Sequence, residues 1–470
     1  MQDIFRHIDD HLNESLAQLT ELCKLASVSA HPPTADAIAK TAEHVSGLLR
    51  DLGFEASILT KPALSEVEGP APAEGSGSLG GQAVVYAEHP GRSSRTLLFY
   101  DHYDVQPAEP LELWSSPPFE PAIREGKLYG RGVGDNKGNI AARLAALRAW
   151  KEVRGELPCS VKFCIEGDEE IGSPQMEEFV EEQRGLLAAD ACVWEGGGVT
   201  WEGIPQLTLG VKGLLYVELA ANTVNRDAHS SYGTVLANAA WRLVWALASI
   251  KGPDERVLID GFYDAVRRAT PEERAAVEAM PSEEAETLRS YGVEEALTGV
   301  RGLDYRLRHL FEPTATIDGL TSGYEGEGPK TVLPARAMAK MDFRLVPDQD
   351  PDDVFAKLRR HLDSRGFGDI TLRYLSGERP ARTPVTDPFV GVVRQAVMDT
   401  YEREPIIVPS MAGTGPLYPF VATLGLPTAD IGIGYPESRA HAPDENIRIE
   451  DFRRGAKAIA ALLGRFGEAS

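Results

Sequence analysis

Residues 96–107 read TLLFYDHYDVQP: a short apolar run, 96–100, that breaks into His102 and Asp104. A run of five apolar or aromatic residues suits a strand buried on both faces. The same pattern recurs on either side. Residues 83–88 form an apolar run before it, and residues 139–153 carry apolar residues at helical spacing after it. A strand at 161–165, a helix at 176–184 and a strand at 191–194 follow. Strands alternating with helices predict an α/β domain with a mostly parallel sheet flanked by helices. Further out, residues 4–25 and 36–52 read as two amphipathic helices. The Pro-, Gly-, Ser- and Glu-rich stretch between Lys61 and Gly81 cannot build a core and reads as a surface insertion.

The texture changes after Gly213. Strands at 214–221, 335–345 and 369–375 and helices at 234–250 and 351–364 predict an inserted α+β unit, and the charged stretch 253–302 reads as helical. From Asp387 the alternation resumes, with a helix at 389–401, a strand at 427–433 and a helix at 449–466. The predicted organisation is therefore 1–212, an insertion at 213–384, and 385–470 completing the first domain.

Composition narrows the function classes. The 470 residues are 43% hydrophobic and 25% charged, with 48 Lys and Arg against 71 Asp and Glu, a formal net charge of −23. So acidic a chain repels nucleic-acid backbones and anionic lipid, while metal ions and basic groups remain fitting partners. No apolar run approaches the ~20 residues that span a bilayer. Residues 1–18 mix acids and bases, unlike a signal peptide. The expectation is a cytoplasmic protein with neither nucleic-acid nor membrane partners. Cys23, Cys159, Cys164 and Cys192 have no CxxC spacing and read as small buried hydrophobes.

Several acidic and histidine residues fall near the C-terminal ends of predicted strands, the edge where open parallel sheets bind ligands. His102 and Asp104 sit two apart, an arrangement that suits a ligating imidazole oriented by a carboxylate, although His-x-Asp alone reads more readily as a solvated loop. In GRGVGDNKGN, residues 130–139, Asp135 reads either as a turn or capping residue or as a bridging carboxylate. That loop lacks the Lys-Ser/Thr ending of a phosphate-binding loop. EGDEEIGS, residues 166–173, crowds Glu166, Asp168, Glu169 and Glu170, which repel one another unless a cation compensates. Glu195 ends the next strand, and His441 lies in SRAHAPDENIRIEDF, ahead of the last helix. Each alone has a structural reading. Together, His102, Asp135, Glu170, Glu195 and His441 form a sulfur-free N/O set that suits zinc, manganese or cobalt.

HYDVQP, YGRGVGDNKG, EGDEEIGS and the late histidine of SRAHAPDENI resemble, in order from His102 to His441, the M20 family of dinuclear metallopeptidases and deacylases. KTVLPARA, FRLVP and the length are most similar to its cytosolic and carnosine dipeptidases. The resemblance implies a catalytic domain with an inserted ferredoxin-like lid and dimerisation domain, and a homodimer. It also implies two divalent ions per subunit, zinc first and manganese or cobalt as alternatives. Asp135 would bridge them, with His102 and Glu195 on one ion and Glu170 and His441 on the other. Glu169 would be the general base and Asp104 the orienter of His102. His229, in RDAHSSYGT, matches the lid histidine that stabilises a developing oxyanion, and Arg344, in DFRLVP, the arginine that holds a substrate carboxylate. Thr331, Gly413 and Thr414 align with substrate-contacting loops. The family's dipeptidases carry Asp where this chain has Glu195; its carboxypeptidases and deacylases carry Glu.

The implied activity is hydrolysis of a peptide bond in dipeptides or at C-terminal residues beside a free carboxylate. Deacylation of N-acyl amino acids on the same metal centre is the rival reaction, and a catalytically silent metal- or ligand-binding dimer the rival class. His7, His11, His31, His44, His89, His309 and His361 fall outside these motifs and read as structural or exposed.

Overall fold

The computed structural model describes residues 1–30, 34–61 and 83–468. His31 and the insertion at 62–81 lie outside the described residues. The chain divides into two compact units. One comprises residues 1–210, 382–409 and 416–470, and the other residues 211–381 and 410–415.

The first unit is built on a six-stranded sheet. Its strands lie in the order Glu55–Thr60, Ala83–His89, Ser160–Glu166, Thr96–His102, Ala191–Trp194, Thr428–Asp430. The last four are mutually parallel, and the second runs antiparallel to both its neighbours near one edge. Residues 97–102 are all buried, which is why the run at 97–100 is apolar without alternation. Lys137–Arg154 and Ile449–Glu468 pack together against the sheet. Ala141, Ala142, Ala145, Ala146, Ala456 and Ala460, all buried, let the two backbones approach closely.

The second unit is a four-stranded antiparallel sheet in the order Thr316–Ser322, Arg336–Leu345, Gly213–Asn222, Thr371–Glu378. Helices Ala239–Ile250 and Pro351–Ser364 complete the β-α-β-β-α-β order of a ferredoxin-like fold. Gly213–Asn222 alternates buried and partly exposed residues, with Leu215, Val217, Leu219 and Ala221 facing the core.

Some expected elements differ. Residues 4–25 are two helices, Gln2–Asp10 and Leu12–Cys23, broken at His11. The strand expected at 96–100 runs on to His102, so His102 ends it rather than lying beyond it. The expected strand 427–433 shrinks to Thr428–Asp430. The stretch 253–302 is helical mainly at Pro271–Ala279, set by a Thr270/Glu273 capping box, and at Glu284–Ser290. Lys61, expected at the edge of a surface insertion, is buried.

Candidate active site

Three parallel strands deliver the chemistry to one edge of the sheet of the first unit. His102 ends one strand and lies in register with Glu166, which ends its neighbour. Three and four residues on from Glu166 are Glu169 and Glu170, in a single 3₁₀ turn. Glu195 directly follows Ala191–Trp194. Asp135 enters from the loop before the helix Lys137–Arg154. His441 comes from a loop whose backbone is left-handed at Arg439, His441 and Asp444, conformations foreign to helix or strand. Close glycine packing sets two of these loops side by side: a Cβ on Gly198 would lie 2.0 Å from the carbonyl of Gly434.

The side chains converge around Asp135. Its Oδ1 is 3.0 Å from His102 Nε2, and its Oδ2 is 3.1 Å from His441 Nε2. Each imidazole meets one further carboxylate: His102 Nε2 lies 3.2 Å from Glu195 Oε2, and His441 Nε2 lies 3.1 Å from Glu170 Oε2. Glu169 lies in the same cluster as His102 and Glu195. Four carboxylates around two imidazoles leave a surplus of negative charge in a buried place. Such a set is costly without cations and fits oxygen- and nitrogen-ligated divalent metal. The protonation preferences carry the same message. The carboxylates Asp135 and Glu170 hold the His441 imidazole as a cation, its pKa pushed up to about 10. Burial drives the Glu169 carboxyl well above its usual range, opposed by His102 and reinforced by Asp135, Glu170 and Asp104. Burial and then Glu169 do the same to Glu195, against His102.

The sequence model of peptidase family M20/M25/M40 matches residues 98–465, a span that contains every one of these residues. The chain belongs to that family. Its relatives include a Beta-Ala-His dipeptidase of Rattus norvegicus, 26% identical over 98% of this chain and 95% of the relative. The Cys-Gly metallodipeptidase DUG1 of Saccharomyces cerevisiae is 25% identical over 100% of this chain and 98% of the relative. Among solved structures, an M20 family metallo-carboxypeptidase from Sulfolobus solfataricus superposes with a TM-score of 0.87 at 37% identity. It covers 97% of this chain and 100% of that one. The chain is thus a metal-dependent peptide-bond hydrolase of the M20 type.

Around this M20 centre lies a shell of residues that sequence reasoning missed. Asp104 was read only as a partner of His102, whose Nδ1 stands 3.3 Å from its Oδ1 and 3.1 Å from its carbonyl oxygen. A carbonyl only accepts, so Nδ1 carries the proton and Nε2 faces Asp135 as a lone pair when the ring is neutral. The same Asp104 carboxylate also accepts the backbone N–H groups of Glu169 and Glu170, at 3.2 and 3.0 Å. Gln106 donates its amide to Glu170 Oε2 at 2.8 Å. Glu445, fully buried, accepts from Arg131 Nη1 at 2.7 Å and from the N–H groups of Gly132, Gly134 and Asp135 at 2.9–3.0 Å. It thereby pins the Asp135 loop to the loop that carries His441. Asn136 donates to Asp101 at 3.0 Å and to Glu195 at 3.4 Å, and Arg143 pairs with Asp101 beneath them. Gln106 and Glu445 both lie inside motifs quoted for their neighbours; their spacing alone says nothing of what they hold.

The acidic run EGDEEIGS splits into two pairs. Glu166 and Asp168 turn inward to Lys61, whose Nζ lies 2.5 Å from Glu166 Oε2 and 2.5 Å from Asp168 Oδ1. Tyr100 and Ser173 donate to the other Glu166 oxygen at 2.6 and 2.9 Å. The compensation that the crowding demanded is, for these two, a lysine and a proton: burial and the Glu166 charge push the Asp168 carboxyl up to about 9.

In the second unit, Arg344 is held rather than free. Its Nε donates to Asp342 Oδ2 at 2.9 Å and its Nη1 to Thr414 Oγ1 at 2.7 Å. Gly413, next to Thr414, accepts the N–H of Lys212 at 2.9 Å. His229 and Thr331 are exposed and adjacent: His229 pairs with Val332, and Thr331 accepts the Ser230 N–H at 3.2 Å. The structure therefore brings Arg344, Gly413 and Thr414 into one group and His229 and Thr331 into another. All four cysteines are buried and free, and burial pushes the Cys23 thiol up to about 12.

Proposed function

We propose that the protein is a dinuclear M20 dipeptidase or carboxypeptidase that cleaves a peptide bond beside a free carboxylate. The observation that carries this reading is the two-sided Asp135 carboxylate, one oxygen toward His102 and Glu195 and the other toward His441 and Glu170. Those five residues would hold two divalent ions, zinc first and manganese or cobalt as alternatives. Bound there, such ions supply the Lewis acidity that polarises a carbonyl and lowers the pKa of water. Glu169 takes a proton from the attacking water and passes it to the leaving amine, a role that its raised proton affinity supports. Asp104 keeps His102 in one tautomer and holds the backbone of Glu169 and Glu170. Arg344 grips the substrate carboxylate through its fork, braced by Asp342 and Thr414. His229 stabilises the developing oxyanion, with Thr331 and Gly413 among the substrate contacts. The dipeptidase names of the relatives, and Glu195 beside the likeness to a metallo-carboxypeptidase, support these substrates.

A homodimer fits the second unit. Trp241 and Trp245 stack at 5.8 Å on the exposed face of Ala239–Ile250, and the edge strand Thr316–Ser322 exposes Ile317 and Leu320. Trp241→Asp with Trp245→Asp is expected to sediment as a monomer; an unchanged dimer refutes that face. A cytoplasmic location is supported by the four free thiols, and no described helix is long and apolar enough to cross a membrane. Cell fractionation tests the location, and recovery outside the cytosol refutes it.

The deciding experiment compares zinc-, manganese- and cobalt-loaded protein on free dipeptides, C-terminally extended peptides and N-acyl amino acids. Turnover of the peptides is the expected result. Turnover of acyl amino acids alone transfers the protein to the deacylase branch, and silence on all three refutes the reading.

A further inference from the structure

Away from the catalytic centre, the N-terminal helices of the first unit carry a second convergence of ligating atoms. His7 lies on Gln2–Asp10 and His11 at the break before Leu12–Cys23. Four residues apart, they emerge on one side, with ring centroids 4.0 Å apart and stacked. Glu152, on Lys137–Arg154, reaches the same place, its Oε2 3.1 Å from His7 Nε2. One ligand atom from each of the three lies within 4.8 Å of the others.

The hydrogen bonding leaves the ligating atoms available. His11 Nδ1 stands 2.9 Å from the main-chain oxygen of His7. A carbonyl accepts only, so Nδ1 carries the proton and Nε2 presents its lone pair. An imidazole oriented by such a bond is the usual partner of a metal. His7 Nε2 is buried and makes no hydrogen bond, although the Glu152 oxygen is close. As the neutral Nε2–H tautomer the ring donates toward that oxygen, and as the Nδ1–H tautomer it turns a lone pair to the same place, where one cation would serve both atoms. Burial, the adjacent His11 and Arg148 hold His7 below its ordinary pKa, against Glu152 and Asp10, which keeps the ring neutral and able to ligate.

We infer that His7, His11 and Glu152 form a peripheral site for a divalent transition cation, zinc in the first instance. Two imidazoles and one carboxylate select zinc, nickel or copper over magnesium or calcium, and three protein ligands leave a fourth position for water. The net charge of −23 concentrates cations near the surface. The bound ion staples the N-terminal helix to the helix that begins just after Asp135, so it stabilises the fold without entering the reaction.

The test is zinc binding to full-length protein whose catalytic centre is already loaded, followed by calorimetry and by metal analysis after gel filtration. Wild type is expected to take up one further equivalent. His7→Ala and His11→Ala are expected to lose that equivalent while keeping their activity. Glu152→Gln is expected to weaken binding by at least the ~10-fold that loss of even an outer partner costs. Magnesium is expected not to compete. The same titration on Asp135→Ala, whose catalytic site is disabled, separates the two centres: uptake of a His7-dependent equivalent there supports the peripheral site whatever the fate of the catalytic reading. No further equivalent in wild type, or an undiminished one in His7→Ala and His11→Ala, overturns the inference.

Discussion

Glu166 and Asp168 stand within four residues of Glu169 and Glu170, yet the two pairs do opposite work. The first pair is fully buried and its counter-charge is internal: Lys61 bonds both carboxylates, and Tyr100 and Ser173 occupy the remaining Glu166 oxygen. The second pair faces His102, Asp135 and His441, with no lysine or arginine among its partners in the described residues. A satisfied cluster is structural; one left short of positive charge is a place for cations. The turn that separates the pairs is clamped by the Asp104 carboxylate on the N–H groups of Glu169 and Glu170. What distinguishes them is which partner the fold supplies.

The largest effect that breaks this contrast is Asp135→Ala. It removes the carboxylate shared by both histidines, and we expect loss of both ions and of activity down to background. Metal analysis checks it, and a variant that retains two ions refutes the bridge. Next is Glu169→Gln, with kcat expected to fall roughly 10²–10⁴-fold while metal content stays at the wild-type value. A fully active variant refutes the base.

On the structural side, Lys61→Met leaves two buried carboxylates without their cation. A loss of about 3–5 kcal/mol in denaturant unfolding is expected, recovered in large part when Glu166→Gln and Asp168→Asn are added. Equal stability of Lys61→Met and wild type removes the distinction between the pairs. Glu445→Gln is expected to act more mildly, weakening metal binding ~10–100-fold with all five proposed ligands in place. Unchanged metal affinity would show that the Asp135 loop holds without it.

The smallest effect concerns pH. The His441 pKa rises from 6.5 to about 10 in the ion-free protein because Asp135 and Glu170 bond its protonated ring. A raised folded-state pKa adds stability that is complete below 6.5 and lost as pH rises through 10. Ion-free protein is therefore expected to lose stability over that window. Zinc, which must displace the same proton, is expected to bind more tightly as pH rises. Denaturation in chelator at pH 6.5, 8 and 10 checks the sign, and a gain of stability with pH reverses it.

Much of the α/β architecture was legible because strand segments buried on both faces are apolar without alternation, as at 97–100 and 163–165. Element ends were less so. His102 belongs to its strand because it pairs in register with Glu166, a contact between residues 64 apart in sequence. Lys61 was misread because its neighbours at 62–81 are polar and small, and nothing local says that a lysine beside them folds inward to two acids a hundred residues on. Glu445 escaped notice for a similar reason: its four donors come from residues 131–135.

By itself, then, the sequence determined the alternation of elements, the change to an α+β texture after Gly213 and the inventory of nitrogen and oxygen donors, because periodicity and residue type are local properties. Only the tertiary structure decided which acids are neutralised from within and which stand open, since that depends on the approach of Lys61, Asp104 and Glu445 from distant segments. Charge compensation is a matter of distances of about 3 Å, and those distances are settled by how the strands and loops pack.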